Sequence, residues 1–217
     1  MLIAMIGLLA SNCKNTETRD IDNTGAANDT VSATRTAATS DDGHGELIAA
    51  MNDMMETIHG LEKKGISDYD LAAEMKEHHK GAIAMADAQL ASGTDAVLKQ
   101  MAQKIKDMQQ KEVGELDAML GQFDDKAKDY DPVDTDAGLG KAMSDNMQAM
   151  MKMPEMDQTS VDKSFAAMMA KHHKDGIKMS KTILEFAKDA KFKVMAQKII
   201  NDQQREIKEL EDWQARN

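Results

Sequence analysis

Met75-Lys76-Glu77-His78-His79-Lys80 and Met169-Ala170-Lys171-His172-His173-Lys174 are two versions of one segment, and the alignment they anchor organises most of the chain. With a constant shift of 94 and no gap, Met75–Leu116 aligns on Met169–Leu210, and 20 of the 42 positions are identical. Ile83, Met85 and Leu90 recur as Ile177, Met179 and Leu184, and the run Met101–Ile105 recurs as Met195–Ile199. Gln109, Gln110, Glu112, Glu115 and Leu116 recur as Gln203, Gln204, Glu206, Glu209 and Leu210. Upstream, Met51, Met54 and Met55 match Met147, Met150 and Met151 at a shift of 96. Identity at this density in one register reads as a tandem duplication.

Each copy reads as a short helix followed by a hairpin of two long ones. In the first copy these span about 45–62, 68–92 and a stretch from the Thr94-Asp95 cap to Leu120-Gly121. Ser67 or Asp68 is the expected N-cap of the middle helix and Gly93 its stop. In the second copy they span about 138–153, 159–187 and 190–214, with Pro154 breaking the short helix. Leu71, Met75, His78, Ala82, Met85 and Gln89 form one face at alternating spacings of four and three, as Met101, Ile105, Met108, Glu112 and Leu116 do on the partner. Hairpins with one apolar face each must bury those faces together. The expected fold is all-α: a ferritin-like four-helix bundle from two repeated helical hairpins, each preceded by a short Met-rich helix.

Composition agrees. Of 217 residues, 20 are Met, only seven are aromatic and two are Pro, which suits helices and excludes a β-sandwich or barrel. The net charge of −11, without a basic stripe, argues against nucleic acid as a partner.

Ahead of the repeats, Leu2–Ala10 is an unbroken apolar or Gly run followed by Ser11, Asn12 and Cys13. Nine residues are too few to span a bilayer but suit a signal peptide. Residues 1–13 resemble a bacterial lipoprotein signal ending at Cys13, the lipidation position. Asn12 and the absence of a preceding Lys or Arg depart from that pattern. Residues 14–43 lack large apolar side chains and read as a flexible tether. The organisation is then repeat 1 at 44–121, a linker at 122–136 with Pro132, and repeat 2 at 137–217. The expected location is the bacterial envelope, with the membrane touched only through the lipid anchor.

The His-His pairs carry the chemistry. Adjacent helical residues point about 100° apart, so the two imidazoles of a pair do not easily grip one ion together. Met75 is three before His78 and four before His79, and Met169 stands likewise to His172 and His173; Met168 adds a second thioether four before His172. A thioether one turn from an imidazole is a two-point chelate for a soft ion: Cu(I), with Ag(I) by the same softness, and Cu(II) through imidazole. Met85 and Met179 lie two turns beyond the first His and belong to a second site or to the core. The clusters Met51/Met54/Met55/His59 and Met143/Met147/Met150/Met151/Met153/Met156 are further thioether arrays, or adaptable partner-binding surfaces. Gln109 and Gln203 are candidates to hydrogen-bond the imidazole nitrogen that faces away from a metal. A di-iron enzyme needs Glu-x-x-His, but Met75, Lys76, Met169 and Ala170 stand three before the four histidines.

The repeated Met-x-x-His-His-x-x-x-Ile-x-Met segment, with the later Gln-Gln-x-Glu-(Val/Ile)-x-Glu-Leu, resembles the secreted bacterial family called domain of unknown function 305, over about 46–216. The resemblance implies a ferritin-like bundle, copper binding in some members, and His78, His79, His172, His173 and their flanking Met residues as metal positions. The expected function is copper sequestration, tolerance or delivery, without catalysis, alongside other copper-handling envelope proteins. The alternative is a metal-free lipoprotein module that binds another protein through Met-rich helical faces.

Overall fold

The computed structural model describes residues 40–217 except Met156 and Gln158, with side chains from Gly43 onward. The signal segment, Cys13 and nearly all of the tether lie outside the described residues, as does Met156. Within them the chain is all-helical: α1 (Ser40–Gly60), α2 (Ser67–Ser92), α3 (Ala96–Phe123), α4 (Gly138–Met150), α5 (Val161–Phe186) and α6 (Ala190–Gln214). No helix among the described residues is long and apolar enough to cross a membrane. α2 pairs with α3 and α5 with α6 as hairpins, α2 packs on α5, and α1 and α4 lie against this central pair. α3 and α6 are joined by ion pairs from Lys104 to Glu209 (3.5 Å) and from Lys198 to Glu112 (2.9 Å).

Local chemistry explains most of the boundaries. Asp95 caps α3 by accepting from the Leu98 N–H, and Asp189 caps α6 by accepting from Phe192, both at 2.9 Å. Ser160 does the same for α5 through Lys163. α2 departs from expectation. Its N-cap is Ile66, with no side-chain cap bond. Ser67 lies inside the helix, and its N–H and hydroxyl both donate to Asp129 of the linker (2.8 and 2.7 Å). A carboxylate brought in by tertiary packing replaces a local cap. Tyr130, next along, donates its hydroxyl to Asp70 (2.7 Å), so the segment after α3 is tied onto the start of α2.

Other ends shift as well. α1 starts at Ser40, inside the stretch read as tether, and stops at Gly60. α3 runs past Gly121 because Phe123, 1% exposed, is anchored beside Phe192, their ring centroids 6.0 Å apart. α4 stops at Met150, ahead of Pro154. The core is methionine-rich: Met51, Met54, Met75, Met85, Met143, Met150, Met168, Met169, Met179 and Met195 are all buried, among Leu, Ile, Ala and Phe. Burying such side chains contributes roughly 1.5–3 kcal/mol each, so these thioethers are structural whatever else they do.

A clasp links the two hairpins. Asp68, in the first turn of α2, accepts from the N–H groups of Lys188 (2.7 Å) and Asp189 (3.1 Å) in the α5–α6 turn. Asp162, in the first turn of α5, accepts from the N–H groups of Thr94 and Asp95 and the Thr94 hydroxyl in the α2–α3 turn. Each hairpin thus satisfies the orphan donors of the other's turn. The packing of α2 on α5 brings their mid-points, and the histidines there, face to face.

Candidate metal centre

His78, His79, His172 and His173 are all 0% exposed. The His78 and His172 rings stack with centroids 3.7 Å apart and planes 28° from parallel. A stack puts ring faces together and leaves the in-plane nitrogen lone pairs pointing outward, so these two imidazoles do not converge on a shared ion between them. His79 and His173 turn away, 6.3 and 6.0 Å from their sequence neighbours, toward their own hairpin partners. The His173 Nε2–H donates to Glu206 Oε2 at 2.9 Å. His79 Nε2 lies 3.1 Å from Glu112 Oε2, off the line of a full hydrogen bond. Both carboxylates are 3% exposed.

These contacts assign the tautomers. His172 Nε2 is 2.9 Å from the backbone carbonyl of His78, a group that only accepts, so Nε2 carries the proton. The Glu206 carboxylate likewise places a proton on Nε2 of His173. Nδ1 of His172 and of His173 has no hydrogen-bond partner, and His78 and His79 have none at either nitrogen. Each such buried, unpartnered polar atom costs about 1–3 kcal/mol. Burial, reinforced by the surrounding imidazoles and Lys171, holds His78 well below the ordinary histidine range. Burial does the same to His172, with His173 next, against the opposing pull of the His78 carbonyl. The central pair is therefore neutral near pH 7, the form in which imidazole ligates metals. Glu112 goes the other way: burial pushes its carboxyl up, but His79 and Lys198 outweigh burial and hold it below the usual range.

Met75, Met168 and Met169, one helical turn before the histidines, are each 0% exposed. Met85 and Met179 sit further along in the same core, at 0% and 2%. Gln109 and Gln203 are buried at 0% and 1%, yet neither oxygen nor nitrogen of either amide has a hydrogen-bond partner. Gln203 lies against Gly176, one turn after His172, where an added Cβ would come within 2.5 Å of its Oε1. Glu206, one turn further along α6, instead accepts from His173, and Glu112 at the same place on α3 lies beside His79. A charged acceptor makes the stronger bond to a buried N–H. Sequence reasoning missed these glutamates, although the signal was there: a carboxylate at the same place on an otherwise apolar seam in both hairpins.

The outer methionine clusters disperse. Met51 and Met54 enter the core, and Met54 packs on Gly81 of α2. Met55 is half-buried, and His59, in the last turn of α1, is exposed. Met150 is buried, Met147 half-buried and Met151 exposed. Among the described residues no three His, Cys, Asp or Glu side chains are grouped to hold an ion. A metal site here would draw on the buried thioethers that flank the imidazoles. The residues present fit a soft cation: unpartnered imidazole nitrogens in a buried, methionine-lined setting, with carboxylates behind two of the rings.

Fold and site together define an all-helical protein that buries paired histidines at the contact of its two central helices. Over residues 68–214 the chain matches the family described as Domain of unknown function (DUF305), and it belongs to that family. The match opens at Asp68, so α1 lies outside it. No curated protein matches the chain, and no solved structure does.

Proposed function

We propose that this chain is a copper-binding protein of the bacterial envelope, sequestering or delivering Cu(I), with Cu(II) and Ag(I) as further ions its donors suit, and that it catalyses no reaction. The observation that carries this reading is four buried imidazoles with unpartnered ring nitrogens: His172 and His173 donate through Nε2 and leave Nδ1 free, and His78 and His79 have no partner at either nitrogen. An oriented imidazole with an oxygen acceptor behind it is how proteins present histidine to a metal. Met75 with His78 and His79, and Met168 and Met169 with His172 and His173, are the residues that would hold the ions. A bound soft cation supplies the partner those lone pairs lack. Glu112 and Glu206 orient the rings, and the buried Met85 and Met179 serve packing. Gln109 and Gln203 keep unused buried amide groups that a rearranged, loaded site would engage.

The fold that goes with this reading is a ferritin-like four-helix bundle of two repeated hairpins. It is supported by helix starts that recur at the shift of 94, Ser67/Val161 and Ala96/Ala190. Location in the envelope rests on the N-terminal run and Cys13, and partners there would be other copper-handling proteins.

The test is a titration of residues 40–217 with Cu(I) against a competing chelator, with thermal unfolding in parallel. Tight stoichiometric binding with a raised midpoint is expected; at 100 times Kd the added stability is about 2.7 kcal/mol. The variant combining His78→Ala, His79→Ala, His172→Ala and His173→Ala is expected to lose this capacity. Undiminished capacity in that variant would overturn the ligand assignment.

A further inference from the structure

Three soft donors outside the buried quartet line one cleft between the end of α1 and α4. His59 is exposed in the last turn of α1, and Met143 and Met147, four apart on α4, share a face. With Lys63, Glu74 and Tyr130 among the other walls, they border an open space of about 250 Å³, ample for an ion and a residual water. The Met143 sulfur is 3.7 Å from the Tyr130 hydroxyl, but that hydroxyl's single proton goes to Asp70 at 2.7 Å. The thioether lone pairs therefore stay available. The one cation in the wall, Lys63, is paired with Glu74, so no uncompensated positive charge faces the space. The histidine and the methionines come from opposite sides of the linker, so the grouping exists only in the folded chain.

We propose that this cleft is a second binding site, open to solvent, for a soft monovalent cation such as Cu(I) or Ag(I), held by the His59 imidazole and the thioethers of Met143 and Met147. One nitrogen and two thioether sulfurs form a donor set that selects soft ions over Mg or Ca. The buried quartet has no surface exposure, whereas this site can exchange its ion directly with solvent or another protein. The proposal rests on the copper reading for the choice of ion, but on different residues for its fate.

The experiment is a titration of the full chain, carrying 13C-methyl methionine, with Ag(I), read by NMR. The expected result is a shift of the Met143 and Met147 methyl resonances. His59→Ala, an exposed change that keeps the fold, should weaken the response at those two methyls by more than about tenfold. The combined variant His59→Ala, Met143→Leu, Met147→Leu should bind one Ag(I) fewer. Shifts confined to Met75, Met168 and Met169, or a His59→Ala titration identical to the unaltered chain, would overturn the proposal. Shifts confined to Met143 and Met147 would support it and instead overturn the buried copper site.

Discussion

The two hairpins are alike in their clasps and unlike in their histidines. Asp68 and Asp162 stand at equivalent places, and each takes the N–H groups of the other hairpin's turn. At the mid-point of the same helices the exchange is one-sided. His172 donates to the backbone of His78, while both ring nitrogens of His78 are left without partners. The carboxylates behind the outer histidines differ too: Glu112 is shared with Lys198, whereas Glu206 holds His173 alone among the contacts described. A near-repeat in sequence thus produces equal structural joints and unequal ligand environments. The joints are made by charged groups reaching backbone donors that every residue except proline supplies. The imidazoles depend on ring orientation in a packed interior, where only one of the two stacked rings reaches the other helix's carbonyl.

The largest expected effects break the clasps. Asp162→Ala removes an acceptor used by two backbone N–H groups, a hydroxyl and the Gln89 amide, and should cost about 3 kcal/mol or more in urea unfolding. Asp68→Ala, which loses two backbone donors and Lys126, should cost somewhat less, about 2 kcal/mol. Equal losses would mean that the extra partners of Asp162 contribute nothing.

Next comes pH. His78 and His172 have folded pKa values pushed below that of the unfolded chain, so below about pH 6.5 the unfolded state takes up protons that the native state refuses. Their contribution is fully present above that pH and is lost as pH falls toward the folded values. The slope approaches about 2.7 kcal/mol per pH unit for the two together. Denaturant unfolding of the metal-free protein between pH 7.5 and 5 should show it, and His172→Phe should remove about half. A flat profile would mean that the stacked pair opens to water.

The unequal carboxylates give a third test. Glu206→Gln and Glu112→Gln should each weaken copper binding about 10- to 100-fold, through loss of the charged acceptor behind the imidazole. The smaller effect is expected for Glu112, whose charge already serves Lys198 as well. Competition titrations on the two variants measure the ratio, and a larger loss for Glu112→Gln would reverse the ranking.

The smallest effect sharpens the comparison at the turns. In the first hairpin Gln89 reaches Asp162, and its amide lies where a Cβ on Gly93 would sit, 2.3 Å away. The second hairpin has Ile183 and Ala187 at those places, with no amide to accommodate. Gly93→Ala should cost about 1–2 kcal/mol alone. Combined with Gln89→Ile the cost should shrink, a coupling that a double-mutant cycle reads directly.

Much of this was legible in the chain. The six helices, the cap at Asp95, and the paired histidines with their preceding methionines all follow from spacings of three and four, from local cap chemistry and from a repeat at 94. The α2 start was not legible, because its first turn is satisfied by Asp129, 62 residues from Ser67. Nor is the grouping of His59 with Met143 and Met147 legible, because along its own helix His59 stands only with Met55 and the cleft forms across two helices. Glu112 reads as a seam position and Glu206 as its repeat, and nothing along either helix marks them as neighbours of an imidazole. In each case the missing information was a distance between residues far apart in sequence.

The sequence by itself therefore determined the inventory: helices, their apolar faces, and the number and kind of soft donors, because helical periodicity is local. Only the tertiary structure decided which ring nitrogen faces an acceptor, which methionines sit in the core, and that His78 and His172 stack while differing in their bonds. Those outcomes depend on how α2 meets α5 and on which side chain wins each buried partner, a competition that is settled by packing across the whole molecule.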